Sequence, residues 1–324
     1  MDTPEESASS LQLVVCPPEW VDQALSLLVS PLPPKERPAY IEALLNPLDV
    51  VGPPLEHLLI ALDGERLLAS ALGRVMPGRV ATVCPPQLAP GAKEAIAARL
   101  TALLIRRLSE AGVHVAQALL RDRAGVEARR LRAAGFRYLT DLVYMFDTYL
   151  QAPAATRKGP AVTSGGDWVD GVHGLTFEQY VEDNHERLAR IIEATYEDSL
   201  DCPQLNGVRQ IDDVLDGYLL TGIYLGELWS LVRHGDADVG CLLLCEHPTT
   251  DHVELIYMGL VPAARGRGWG RVLVERAQWQ TRQRGYACLA LAVDASNLPA
   301  LRMYRRAGLV PWDERRVFLL VLER

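Results

Sequence analysis

VELIYMGLVPAARGRGWGRVLV, residues Val253 to Val274, runs from strand to glycine loop to helix. Val253-Glu254-Leu255-Ile256-Tyr257-Met258 is an apolar run of strand type, and Pro262 ends it because proline cannot donate to a ladder. Arg265-Gly266-Arg267-Gly268-Trp269-Gly270 follows, and then Val272, Leu273, Arg276, Ala277 and Thr281 recur at helical spacing. Such a junction aims backbone N–H groups and the positive end of a helix dipole at one point, where a phosphate or pyrophosphate fits. Glycines let the backbone approach that guest, and Arg265, Arg267 and Arg271 add charge around it. A nucleotide-hydrolase loop would need Gly-Lys-Ser/Thr, which the chain lacks. A dinucleotide fingerprint counted from Gly266 and Gly268 would need glycine at Arg271. A tight turn with no ligand is the remaining plain reading.

Arg265-x-x-Gly268-x-Gly270 after a strand resembles the acyl-CoA loop of the GCN5-related N-acetyltransferases (GNATs). A second block fits the same family: Asn297, Tyr304 seven residues later, and Ala307-Gly308-Leu309 at the helix end. The resemblance covers roughly residues 170 to 324. It implies a mixed α/β (α+β) sheet fold with a splayed strand pair that holds the pantetheine arm of acetyl-CoA. It also implies cofactor contacts from the backbone of Met258, Gly259 and Leu260, from the loop Arg265, Gly266, Arg267, Gly268, Trp269, Gly270 and Arg271, and from Asn297. Asn297 also reads as a plain helix N-cap, and both can hold.

The chain has 324 residues, 49% hydrophobic and 23% charged, which is a globular composition long enough for two domains. Net charge is −8 with no Lys/Arg block, so nucleic acid is not the expected partner. No apolar run approaches the roughly 20 residues that span a bilayer, so no membrane partner is expected either. MDTPEESASS lacks the pattern of a signal peptide and reads as a frayed tail. The six cysteines form no Cys-x-x-Cys pair and read as reduced residues of a cytoplasmic protein. Cys202, in Asp201-Cys202-Pro203, is the one in a polar context and the one candidate thiol. The seven histidines show no metal spacing, so no metal is expected; His252 reads as a surface or packing residue.

The first half repeats the element order of the second. Strands are expected at Leu11–Val15, Leu58–Leu62, Arg66–Val75, Arg79–Cys84, His114–Leu120 and Leu142–Phe146, with a long amphipathic helix from Lys93 to Ala111. A period near 160 residues means tandem domains. The expected division is a tail over 1–10, a degenerate copy over 11–150, a linker over 151–168 and a catalytic domain over 169–324. Aligned on their Ala-Gly helix ends, the first copy has Leu131 for Tyr304 and Ala124 for Asn297. Pro90 stands where Gly268 stands and has no N–H to offer. That copy is expected to bind acyl-CoA poorly.

Acyl transfer to an amine needs a base, because an alkylammonium has a pKa near ~10.4, and an acid for the departing thiolate. Tyr304 fits the acid, and a tyrosine at this place has that role in the family; it also fits an aromatic packing residue. Glu254 is the one carboxylate in the strand and fits the base, directly or through water, or else a strand-edge carboxylate facing solvent. The family's other glutamate position, five before the Asn, is Ala292 here. Eleven Asp/Glu against three Arg between Glu178 and Asp216 would attract a cationic amine, with Glu197, Asp198 and Asp201 as candidate contacts, or form a solvated face. The expected activity is transfer of acetyl from acetyl-CoA to a primary amine, on a small molecule or a peptide, by direct transfer in a ternary complex. The alternative is a non-catalytic acyl-CoA-binding or scaffold protein. A monomer and a homodimer both fit.

Overall fold

The computed structural model describes residues 11–45, 51–147, 168 and 171–322. The expected tail over 1–10 and nearly all of the expected linker lie outside them. Among these residues no helix is long and apolar enough to cross a membrane.

In chain order the elements are β1 (Leu11–Val15), α1 (Val21–Leu28), α2 (Arg37–Leu45), β2 (His57–Asp63), β3 (Arg66–Met76), β4 (Val80–Leu88), α3 (Glu94–Glu110), β5 (Val115–Leu120), α4 (Val126–Ala133) and β6 (Arg137–Asp147). Then come β7 (Leu175–Gln179), α5 (His185–Tyr196), α6 (Ile211–Leu219), β8 (Trp229–His234), β9 (Ala237–His247), β10 (His252–Leu260), α7 (Trp269–Gln283), β11 (Cys288–Asp294), α8 (Leu298–Arg306) and β12 (Leu309–Val321). The expected mixed α/β architecture is present, with the same order of strands and helices in both halves.

The chain folds into two compact units, Met1–Leu139 with Arg316–Arg324, and Thr140–Arg315. In the first, β1, β2, β3 and β4 pair antiparallel in sequence, β4 pairs parallel with β5, and the end of β12 closes the sheet antiparallel to β5 from Arg316↔Leu120 to Val321↔Val115. In the second, β7, β8, β9 and β10 pair antiparallel, β10 pairs parallel with β11, and β6 closes the sheet from Ala290↔Phe146 to Asp294↔Leu142. Each sheet is therefore completed by a strand from the other half of the sequence. Leu142–Phe146 does form a strand, yet it pairs within the second unit and not the first. Alternation specifies that a segment is a strand but says nothing of its partner.

The cores follow from periodicity. In the first unit α3 buries Ile96, Leu100, Leu104 and Leu108 against the sheet, as its spacing requires, while Leu103 is only half-buried. In the second, β9 is buried along most of its length, which explains why Gly240-Cys241-Leu242-Leu243-Leu244-Cys245 reads as a continuous apolar run. Trp229 and the inner sides of α5 and α7 complete that core. Helix α8 is capped by Asn297, whose side chain accepts from Ala300 N, has Pro299 in its first turn and ends on Arg305 and Arg306, an order that suits its dipole.

Candidate active site

The site grows from the parallel ladder of β10 and β11. That ladder has only the pairs His252↔Cys288, Val253↔Leu289 and Glu254↔Ala290. Beyond Glu254 the strands part, so one edge of β10 has no β11 partner from Leu255 onward. A one-residue bulge between Leu255 and Tyr257 marks the departure. Glu254 pairs with Cys245 and Tyr257 with Leu243, two residues apart on β9, so Tyr257 shares the face of Glu254. Strict alternation would have placed Met258 there; the extra residue turns Met258 to the other face, where it packs near Trp269 and Leu273.

The glycine loop follows. Pro262–Ala264 makes one turn, Arg265 is extended, and Gly266 and Gly268 take φ of 76° and 79°, with open space around the Cβ each lacks. Gly268 is the N-cap of α7. No described residue accepts from the backbone amides of Gly266, Arg267, Gly268, Trp269 or Gly270, so this helix start offers unsatisfied donors as the motif requires. At Gly270 a Cβ would lie 2.8 Å from Met303 Sδ, so α8, which carries Tyr304, packs directly on the loop.

The loop's side chains divide. Arg265 does not face a guest. Its Nε and both terminal nitrogens donate to the carbonyls of Leu260, Asp198 and Thr195 at 2.9–3.0 Å, tying the loop to the end of α5. Arg271 pairs with Glu275 one turn on, at 2.8 Å. The Arg267 guanidinium lies 5.0 Å over the ring of Trp269, whose indole is buried against His234. The charge expected from three arginines thus reduces to Arg267 and the solvent-facing part of Arg271.

Tyr304 is buried on the inner side of α8, and none of the described residues takes its hydroxyl in a hydrogen bond. Burial, with the Asp201 carboxylate adding to it, raises its phenol above the ordinary value, so it holds its proton at neutral pH. Glu254 is about one-third exposed and its Oε2 accepts from His247 Nε2 at 2.8 Å. Asn297 performs the N-cap role.

Of the acidic residues expected to meet an acceptor, Glu197 is exposed at the end of α5, and Asp198 has a positive φ and gives its carbonyl to Arg265. Asp201 is committed elsewhere: its Oδ1 accepts from Asp294 N at 3.0 Å. Asp294 is the anchor that sequence reading missed. Its carboxylate is 1% exposed and accepts from Thr140 Oγ1, Ser296 N and Ser296 Oγ, each at 2.7 Å, and from Cys202 N at 3.1 Å. Burial alone would raise its pKa, but these donors reverse the sign and hold it below the usual carboxylate range. The Cys202 thiol is pushed up by burial and by Asp201 and Asp294, which makes it a poor nucleophile at neutral pH. Sequence reading also passed over the aromatic set on the Glu254 face. Tyr257 stacks on Tyr218 with centroids 5.5 Å apart, meets Tyr196 edge-on, and its hydroxyl lies 2.6 Å from Thr195 Oγ1.

Residues 192–309 match the Acetyltransferase (GNAT) family. The GNAT fold extends further: the GCN5-related N-acetyltransferase from Sphaerobacter thermophilus superposes with a TM-score of 0.58 at 18% identity, covering 97% of this chain and 96% of that one. A GCN5-related glucosamine N-acetyltransferase region of a fungal multi-domain GH3 β-N-acetylglucosaminidase gives 0.60 at 14% identity, over 97% of this chain and 38% of that one. Among curated proteins, the mycothiol acetyltransferase of Arthrobacter sp. (strain FB24) is 32% identical over 111 residues, 32% of this chain and 31% of that one. That of Thermomonospora curvata is 44% identical over 55 residues, 17% and 18% of the two chains. The chain spans less than a third of the length of the curated relatives it matches.

Proposed function

We propose that the second unit is an N-acetyltransferase that moves acetyl from acetyl-CoA to a primary amine by direct transfer. The observation that carries this reading is the open edge of β10 leading into a helix start with unused amides. These fit an extended acyl-pantetheine arm ending in a diphosphate. Acetyl-CoA held there would supply a thioester carbonyl to the amine. Glu254 takes the ammonium proton, directly or through water, with His247 holding the carboxylate in place. Backbone groups of Met258, Gly259 and Leu260 orient the arm beside the reacting carbonyl. Tyr304, kept protonated by its burial, gives its proton to the departing sulfur. Transfer to an amine, rather than to another nucleophile, rests on the acidic character of the α5–α6 segment, of which Glu197 and Asp198 keep exposed carboxyls. Mycothiol enters as a compound to be tried on the strength of the relatives' name alone.

We propose further that the first unit is a degenerate copy that binds no acyl-CoA. Its parallel ladder matches that of the second unit, three pairs from Val80↔Val115 to Thr82↔Gln117, but Thr82 occupies the register of Glu254 and the buried Leu131 aligns with Tyr304. Pro90 sits in the loop, and the start of α3 is bridged to α4. Arg130 grips Glu94 with two bonds at 2.7 and 2.9 Å and donates to Pro86 O at 2.7 Å, while Gln87 donates to Glu127 at 2.6 Å.

An acceptor screen that detects released CoA thiol, with calorimetry of CoA binding, tests both statements. Tyr304→Phe should lower turnover by about a hundredfold with CoA affinity kept, since a positioned acid contributes about 10²–10⁴. Binding should saturate at one CoA per chain. Binding without turnover on every acceptor, or two equivalents of CoA, would overturn the respective reading.

A further inference from the structure

Strands β9 and β10 set Cys245 opposite Glu254 and His247 opposite His252. Residues two apart on a strand, and residues directly opposite across a ladder, share a face, so all four side chains crowd one face of the hairpin. Cys245 Sγ lies 3.3 Å from His247 Nε2, which lies 2.8 Å from Glu254 Oε2, and the three atoms fall within 4.8 Å of one another. The ring of His252 stacks on that of His247 with centroids 4.6 Å apart. Gly222 backs the cluster, where a Cβ would come within 2.8 Å of Cys245 Sγ and 3.0 Å of His247 Cε1. Cys245 is buried, while His247 and Glu254 remain partly open to solvent.

One imidazole nitrogen faces two neighbours here, and its single N–H can satisfy only one. A cation accepting lone pairs from sulfur, nitrogen and oxygen together would satisfy all three. Thiolate, imidazole and carboxylate form a donor set suited to a borderline-soft divalent ion that takes tetrahedral geometry, with the fourth position left to water. We propose that Cys245, His247 and Glu254 bind zinc(II), and that the bound ion stops acetyl transfer. The second half rests on Glu254 being the base, because a carboxylate ligating the ion no longer takes the ammonium proton. Coordination displaces the thiol proton of Cys245 to solvent, so binding strengthens as pH rises.

Cobalt(II) titration of the full chain should give a thiolate-to-cobalt charge-transfer band in the near ultraviolet, absent in Cys245→Ser. Zinc competition with a chromogenic chelator should show one tight equivalent. Loss of a partner outside the ligand set already costs about 10–100-fold in affinity, so His247→Gln should cost at least about a hundredfold. Turnover of the unsubstituted protein should fall along the same zinc titration and return with chelator. No band, or an equal band in Cys245→Ser, overturns the site. A normal band with turnover unchanged leaves the site standing but sinks the inhibition, and counts against Glu254 as the base. The binding arms need no acceptor, so they decide the site even where the acetyl-transfer reading fails. Circular dichroism of both variants separates lost ligation from lost folding.

Discussion

The junction from β10 to α7 and the junction from β4 to α3 have one topology and opposite fates. Both leave a parallel ladder of three residue pairs and both enter a long helix. After β10 the loop turns through Gly266 and Gly268 and leaves amides without acceptors among the described residues. After β4 the corresponding chain is drawn back onto its own unit. Ala89 N bonds Leu68 O, the Pro90 carbonyl is held by Arg66, and Arg130 in the last turn of α4 holds Glu94 at the start of α3. A fold that leaves its helix start unpaired keeps donors for a guest. In the first unit the loop instead carries Pro90, which has no N–H, and the Arg130–Glu94 pair occupies the approach to the start of α3.

Transplanting features of the first junction into the second should break the difference, and the largest break is Gly268→Pro. Proline cannot take a φ near 79° and removes one amide outright. Losing that amide and displacing its neighbour costs two hydrogen bonds to a charged group, at about 1.5–3 kcal/mol each, and should weaken acetyl-CoA binding by more than about a hundredfold. Calorimetry beside a thermal melt separates this from unfolding, and CoA affinity retained in a folded variant would refute the anion-site reading. The next effect is on chemistry. Glu254→Gln should cut turnover at neutral pH by about a hundredfold while leaving the cofactor affinity in place. A rate that recovers as pH rises toward the pKa of the ammonium would identify the lost function as proton removal.

Much of this contrast was legible in the sequence because it rests on local rules. Glycine spacing and the apolar period of α3 are properties of short windows, and each produced the element expected. What was not legible is set by partners far along the chain. Nothing in Leu142–Phe146 says that β11 will be its neighbour. Nothing in Ile256 announces a bulge that reverses the side of Met258. Arg265 reads as a phosphate ligand until three carbonyls are found around it, and Asp201 as a substrate contact until the amide of Asp294 claims it. Cys245-x-His247 with Glu254 offers no metal spacing along the chain, because the third member comes from the facing strand. The hint available was alternation: Cys245 and His247 share a face, and the short turn to Glu254 brings a carboxylate opposite.

A smaller contrast lies at the ends of β11 and β5. Asp294 and Arg121 stand in equivalent register, six residues past the first pair of their parallel ladders. Asp294 is buried under four donors, whereas Arg121 forms a 2.6 Å pair with Glu36 in which both side chains are about half exposed. Asp294→Ala leaves buried donors unpaired at about 1–3 kcal/mol each and should destabilise the second unit by about 3 kcal/mol in denaturant titration. Arg121→Ala should cost less than about 1 kcal/mol, as exposed pairs do. Equal losses would erase the distinction drawn between the two positions.

The smallest effect expected is a pH dependence seated on one arginine of the second unit. Arg187 donates to Glu178 at 2.7 and 2.8 Å and to Asp238 at 2.8 Å through two nitrogens, while Arg233 and Arg190 add positive charge and Asn184 adds a hydrogen bond. The hydrogen bonds from Arg187 are the main reason both carboxyls sit below their ordinary values, against burial, which opposes them. The sign follows from linkage. A carboxyl with a depressed native pKa stabilises the folded state fully above its unfolded value, near about 4, and that contribution drains away as pH falls through the native value. Solvent reaches all three side chains, so the gain is screened and modest. Urea midpoints measured from neutral pH down into the acid range should therefore drop for the intact protein, and drop less steeply for Arg187→Gln. The two curves should converge at the acid end, where the carboxyls are protonated with or without the arginine. Curves that stayed parallel would mean that Arg187 contributes packing through its aliphatic stem and not charge.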